Sequence, residues 1–222
     1  MGKLIVLEGT DGSGKSTQMQ LLLERLQREG QPFRQLRFPQ YDQPSSALIR
    51  MYLGGEFGQD PNAVNAYAAS TFYAVDRYAS YVRDWGAYYQ QGGLLVSDRY
   101  TTSNAVHQAG KVPPEERKAF LAWLSDLEYA KMGLPAPDLV LWLNMPVEKT
   151  LELMQHRRDC GGAAADIHEK DSSYLAHCYE MAREAAAFYG WCTIDCVRDG
   201  AIRPAEEIAE EIYERIRNCM EG

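Results

Sequence analysis

The stretch Gly9-Thr10-Asp11-Gly12-Ser13-Gly14-Lys15-Ser16-Thr17 has the spacing G-x-x-x-x-G-K-[ST]. Glycines at these positions let a loop fold with its N–H groups pointing inward, where they form a concave nest for anions. A helix beginning near Lys15 adds the positive end of its dipole. In such a loop the lysine reaches the β- and γ-phosphates of a nucleotide, and the following hydroxyl, here Ser16, ligates Mg²⁺. Three other groups carry chemistry. Asp98-Arg99 ends the apolar run Leu94-Leu95-Val96-Ser97, and ligands bind beyond the carboxyl ends of strands in open parallel sheets. Tyr73, Asp76, Arg77 and Tyr81 stand at i, i+3, i+4 and i+8 and share one helical face; a ring and a guanidinium there can hold a planar base. Arg157-Arg158 open a segment of small residues running to Lys170, which reads as a lid closing over phosphates or as a solvated loop between helices.

The elements around these groups follow from pattern. Leu4-Ile5-Val6-Leu7 is an apolar strand before the glycine loop, and Gln18 to Leu23 continues the helix after it. Further strands are expected at Phe33–Phe38, Leu94–Ser97, Asp138–Leu143 and Trp191–Asp195. Residues 63 to about 91 read as one long helix rich in alanine and tyrosine. Helices are also expected at Ala47–Leu53, from Thr101, from Pro113, over Val147–His156, over Tyr174–Tyr189 and from Ala205. Leu121, Leu124 and Leu127-Glu128 supply the apolar face of the helix from Pro113, and Ile208, Ile212 and Ile216 form a stripe on the last. Asp199-Gly200 is a turn. Strands alternating with helices predict an α/β fold of the P-loop NTPase type: a five-stranded parallel sheet, helices on both faces and a short lid at about 157–170. The 222 residues are read as one domain, 1–222, large enough for a sizeable core.

The net charge of −8 argues against sequence-independent nucleic-acid binding, which requires a basic surface. No apolar run approaches a membrane span. The chain enters its first strand at once, so no signal peptide is expected, and five cysteines without a C-x-x-C pair suit reduced thiols in the cytoplasm. The N-K-x-D motif that reads guanine in GTPases is absent from the sequence. A nucleotide at the glycine loop and an acceptor near Arg37-Phe38-Pro39, Tyr73/Arg77 and Asp98-Arg99 together point to phosphoryl transfer between small molecules. That chemistry rests on positioning, Mg²⁺ and positive charge.

The landmarks Leu7-Glu8-Gly9 through Gln18, Arg37-Phe38-Pro39, Tyr73-Ala74-Val75-Asp76-Arg77, Asp98-Arg99-Tyr100 with Ser103 and Gln108, and Asp166-Ile167-His168-Glu169 together resemble the thymidylate kinases of the nucleoside monophosphate kinase group. The resemblance spans nearly the whole chain. It implies transfer of the ATP γ-phosphate to dTMP, with Mg²⁺ as cofactor, in a cytoplasmic homodimer. By that resemblance, Gly9 to Thr17 bind ATP and Asp11 also holds the 3′-hydroxyl of dTMP. Phe38, Pro39, Tyr73 or its neighbour Phe72, Arg77, Ser103, His107 and Gln108 line the acceptor site, with Tyr73 stacking on thymine and Arg77 at the base edge. Arg99 contacts the acceptor phosphate, Lys15 and either Arg157 or Arg158 serve the transferred group, and Ser16 and Asp98 serve the metal. The segment from Arg198 to Ala201 borders the donor adenine. Gln40 and Tyr41 follow the Phe-Pro pair where many members carry an arginine or glutamate, and His107 stands where a tyrosine is usual. Two other readings fit these residues: a kinase of dUMP or UMP/CMP on the same fold, and a regulatory protein that binds ATP without transferring it.

Overall fold

The structure is a computed structural model. It describes residues 1–60, 62–159 and 172–221, the side chains of 157–159 and 172 excepted. The lid expected at about 157–170 falls outside the described residues, apart from the end of the helix that leads to it.

In chain order the elements are β1 (Lys3–Glu8), α1 (Lys15–Arg28), β2 (Phe33–Arg37), α2 (Ala47–Leu53), α3 (Ala66–Ser80), α4 (Gly86–Gln90), β3 (Leu94–Asp98), α5 (Thr101–Gln108), α6 (Arg117–Ser125), β4 (Leu139–Asn144), α7 (Val147–Asp159), α8 (Ser172–Tyr189), β5 (Cys192–Asp195), β6 (Val197–Arg198), β7 (Ala201–Ile202) and α9 (Ala205–Glu221). A five-stranded, all-parallel sheet has the order β2-β3-β1-β4-β5, with helices around it. The five expected strands are the five of this sheet. The near-continuous apolar runs of β1, β3 and β4 suit strands covered on both faces, while the edge strands β2 and β5 are mixed; Leu4, Ile5, Val6, Leu95, Val96, Leu141 and Ile194 are all fully buried.

The chain divides into two compact units, Met1–Val6 with Arg34–Pro137 and Leu7–Phe33 with Asp138–Gly222. In the first, Trp85, Tyr100, Phe120, Leu121 and Leu124 build the core. The long helix expected from residue 63 to 91 is not uniform. A π-helical turn, Tyr81–Trp85, separates α3 from α4. The Gly86 N–H bonds back to the Tyr81 carbonyl, five residues earlier, and a Cβ on Gly86 would stand 2.6 Å from that carbonyl oxygen. The extra residue needs a glycine there, and the Trp85 indole N–H donates to Ser80 Oγ at 3.0 Å within the same turn. A second π turn, Asp126–Lys131, extends α6.

In the second unit α1 packs against α9. Ile208, Ile212 and Ile216 are buried as one stripe. Gln18 Nε2 donates to the Ala205 carbonyl at 3.0 Å. Arg25 lies over the Tyr213 ring, 3.6 Å from its centroid, and pairs with Glu29 and Glu210. The Asp199-Gly200 turn is more than a turn. It closes a hairpin in which Val197 faces Ile202 and Arg198 faces Ala201, and both turn residues take positive φ, 53° and 77°, as a two-residue Asp-Gly hairpin loop requires.

Candidate functional site

The glycine loop belongs to the second unit. β1 ends in the buried Glu8, which accepts from the Gly9 N–H at 3.1 Å. Ser13 N–H bonds back to the Thr10 carbonyl at 3.1 Å, closing the loop. Gly14, at φ 88°, occupies the N-cap position of α1 in a left-handed conformation, which costs glycine nothing and other residues strain. Gly12 also has positive φ, and a Cβ on it would lie 2.6 Å from Met154 Cε and 2.9 Å from Thr150 Cγ2, so α7 can pass close behind the loop. Lys15 is buried at the first position of α1, while Ser16 and Thr17 are exposed beside it. No side chain caps α1 and its first turn carries no acid, so its N-terminal amides are left to an anion. Ser13 Oγ and Thr150 Oγ1 are buried without a hydrogen-bond partner, polar atoms of the kind a bound phosphate or its water would satisfy. Gly9 and Thr10 are buried and Asp11 is half-buried.

The expected acceptor residues belong to the first unit. Phe38 N–H bonds the Asp98 carbonyl at 3.3 Å, which joins the carboxyl ends of β2 and β3. The Phe38-Pro39 peptide is cis, and the Phe38 ring packs on Tyr100 with centroids 5.9 Å apart. Asp98 Oδ2 lies 4.0 Å from Arg37 Nε. Arg99 follows with φ 67°, a left-handed arginine, and Ser97 Oγ donates to its carbonyl at 2.6 Å. Backbone strain of this kind gathers at functional sites. Arg99 Nη1 is 2.9 Å from His107 Nε2 on α5.

Tyr73 stands one turn before Arg77 on α3. Burial pushes its phenol well above the usual tyrosine range; the phenols of Tyr52 and Tyr41 push the same way, and the guanidiniums of Arg77 and Arg99 pull against them. The ring therefore lies within electrostatic reach of both arginines. Phe72 is placed differently: its ring packs on Tyr52 and Phe57, with centroids at 6.3 and 5.7 Å. Ser103 is half-buried in the first turn of α5, and Gln108 is buried with Oε1 unpartnered.

Arg77 is almost wholly enclosed at 2% exposure. Its Nε and Nη2 donate to Glu128 Oε2 and Oε1 at 2.7 and 2.6 Å, and Nη1 reaches the Tyr100 carbonyl at 3.4 Å. Burial works to lower the Arg77 pKa, and the Glu128 charge and hydrogen bonds outweigh it, holding the guanidinium above its usual value. Thr101 Oγ1 adds a third hydrogen bond to Glu128, at 2.7 Å. Neither Glu128 nor Thr101 is among the residues expected from the sequence to serve the site. The signal for Glu128 was a carboxylate on the apolar face of α6, since a buried acid requires a cationic partner. The other members of the shared helical face are structural. Asp76 accepts from Gln40 N–H at 2.8 Å and Ser45 Oγ at 2.6 Å, and Tyr81 packs edge-on against Trp85. Arg157 and Arg158 have no described side chains. Pro39, Gln40 and Tyr41 line a pocket of about 700 Å³ with Arg37 and Arg83.

The model of the thymidylate kinase family matches residues 7–212. The chain belongs to the thymidylate kinase family. It is 33% identical over 191 residues to a thymidylate kinase of Mycobacterium tuberculosis, covering 85% of this chain and 87% of the relative. It is 32% identical to one from Afipia carboxidovorans, covering 99% and 89%, and 27% identical over the full length of both chains to a probable thymidylate kinase of Methanococcus maripaludis. Members of this family are nucleoside monophosphate kinases, and this chain is an enzyme of that class, transferring a phosphoryl group to dTMP. Among the described residues no helix is long and apolar enough to cross a membrane.

Proposed function

We propose that the enzyme works by ATP + dTMP → ADP + dTDP with its donor on the glycine loop and its acceptor among Phe38, Tyr73, Arg77, Ser103, Arg99 and His107. What supports the acceptor assignment is the enclosed, Glu128-held Arg77 one turn from Tyr73 on α3, together with the left-handed Arg99 at the end of β3. An aromatic face with one guanidinium at a fixed depth and another at the end of a strand is suited to a planar base with a phosphate. Tyr73 stacks on the base, Arg77 keeps for the base edge the two of its five N–H donors not bonded to Glu128 or Tyr100, and Arg99 takes the acceptor phosphate. The α1 amides and Lys15 hold the donor phosphates. Arg157 or Arg158 adds charge at the transferred group. The oxygen donors Ser16 and Asp98 are of the type a hard cation prefers, and Mg²⁺ bound with ATP supplies charge neutralisation at the β- and γ-oxygens. Family membership favours neither a UMP/CMP or dUMP kinase nor a non-catalytic ATP binder.

The reading includes a single working domain, a cytoplasmic location and a homodimer. The thiols of Cys192 and Cys196 support the location. For the dimer, Val75, Tyr78 and Val82 stand at i, i+3 and i+7 and are 47%, 44% and 64% exposed, an apolar stripe of the sort a second copy covers. Val82→Glu is expected to convert the dimer to monomer in light scattering; a dimer that persists removes the stripe from the interface.

An ADP-release assay with Mg·ATP and dTMP, dUMP, UMP, CMP or no acceptor tests the function. Turnover concentrated on dTMP is expected, and Lys15→Ala should reduce kcat by about 10²–10³-fold, as loss of a donor at the reacting centre does. Full turnover by Lys15→Ala, or a preference for UMP, would sink this account.

A further inference from the structure

The glycine loop holds one of its own amides back. In a loop of this spacing the N–H groups point at an anion, yet the Ser13 N–H donates to the Thr10 carbonyl at 3.1 Å. An amide that turns to a phosphate leaves that carbonyl. Thr10 is buried at 5% exposure, so its carbonyl then needs another donor. Unused groups stand close by. Six buried side-chain polar atoms have no hydrogen-bond partner among the described residues, and three of them, on Ser13, Gln18 and Thr150, belong to the loop, the helix it opens and α7. Gln18 Oε1 only accepts, which leaves the two hydroxyls. Thr150 is the fourth residue of α7 and 1% exposed. It meets the loop directly: its Cγ2 would stand 2.9 Å from a Cβ on Gly12. A helical threonine commonly turns its hydroxyl to the carbonyl four residues back. Here the Pro146 carbonyl takes the Thr150 N–H at 2.9 Å and not the hydroxyl. A buried hydroxyl without a partner lowers stability, and in a native structure it calls for a role elsewhere.

We propose that Thr150 is a positioning residue of the donor site, its hydroxyl donating to the loop carbonyl that is released when the Ser13 amide turns to the donor phosphate. The proposal rests on the reading of the glycine loop as the donor-phosphate site. The Ser13 hydroxyl travels with the loop, whereas Thr150 stands on a separate helix and ties the loop to it. The bond accompanies nucleotide binding, so its loss weakens binding and spares the fold. A threonine that only supports the fold would behave the other way.

The test is calorimetric binding of ADP to wild type, Thr150→Val, Thr150→Ser and Lys15→Ala, with thermal melting of each with and without ADP and steady-state kinetics on the two Thr150 variants. Valine keeps the shape of threonine and removes the hydroxyl; serine keeps the hydroxyl. Thr150→Val should weaken ADP about three- to tenfold, the order of one neutral hydrogen bond. KM for ATP should rise by the same factor, with kcat and KM for dTMP each changed less than about twofold, because the contact is made equally in the ground and transition states. Without nucleotide the same variant should melt at the wild-type temperature or up to about 4 °C above it, since a methyl replaces an unsatisfied hydroxyl. At one saturating ADP concentration that advantage should shrink or reverse. Thr150→Ser should bind ADP within about twofold of wild type. Wild-type ADP affinity in Thr150→Val, a melting temperature below wild type for that variant without nucleotide, or no recovery in Thr150→Ser would each overturn the role of Thr150. Lys15→Ala reports the donor reading by itself: ADP affinity equal to wild type overturns both readings, while a clear loss there, with any of those three results, overturns only this one.

Discussion

Arg77 and Arg99 belong to the same compact unit, yet they are built in opposite ways. Arg77 is enclosed, in an ordinary helical conformation, and bound by both Nε and Nη2 to a carboxylate that is itself fully buried. Arg99 is half-exposed, strained at its backbone, and its Nη1 lies 2.9 Å from His107 Nε2. The first arrangement spends the guanidinium's charge on the fold and keeps only its geometry for a ligand. The second leaves the guanidinium partly open to solvent, at the end of β3. A base edge is neutral and needs well-placed donors; a phosphate is dianionic and needs charge. Under the proposed assignment, the enclosed arginine serves the base edge and the half-exposed one the phosphate.

The strongest way to break the comparison is Glu128→Ala. It leaves Arg77 buried without its counter-charge and should lower the unfolding free energy by about 3–5 kcal/mol, read as a shift of the urea midpoint at constant slope. The double change Arg77→Met with Glu128→Leu should recover most of that stability and still raise KM for dTMP if Arg77 serves the base as proposed, since well-packed apolar replacements of a buried pair are often neutral. If Glu128→Ala were as stable as wild type, Arg77 would not be the enclosed cation described here.

Arg99 should behave the other way, through activity rather than stability. Arg99→Met should reduce kcat/KM for dTMP by about 10²-fold, as removal of a charge-assisted phosphate contact does, with a melting temperature close to wild type. Arg99→Gly should lose the same activity while its unfolding free energy holds or rises by up to about 1 kcal/mol, because glycine accepts the left-handed backbone without strain. Denaturation midpoints that fall clearly below wild type in both variants would show that Arg99 supports the fold. The smallest effect is in salt. Raising ionic strength from about 0.05 to 0.5 M should increase KM for dTMP roughly two- to threefold in wild type and much less in Arg99→Met, since half-exposed charges are screened and enclosed ones are not.

The parts of this arrangement that were legible in sequence are the local ones. The glycine loop is specified by nine consecutive residues, and the inner strands β1, β3 and β4 by apolar runs. Tyr73 and Arg77 were placed on one helical face correctly, because four residues make one turn. The same rule over-reached: Asp76 and Tyr81 share the spacing but serve a loop and a π turn. The π turns escaped because a single inserted residue disappears within a 3.6-residue periodicity. Glu128 escaped because its partner is 51 residues away and it stood at the end of an apolar stripe, where it passed as part of the face. Arg99 and His107 were both singled out, but their pairing depends on how the chain turns from β3 into α5, and spacing does not contain that.

The packing of α1 on α9 has a consequence for how the molecule comes into being. Gln18 and Ala205 are 187 positions apart, and Arg25 is clasped by Tyr213 and Glu210. The helix that carries Lys15 is thus made early and its support late. At about 5–20 residues per second on the ribosome, roughly 10–40 s separate the two. During that interval the nascent α1 has its apolar side uncovered, and a chaperone that shields such surfaces has that long to act.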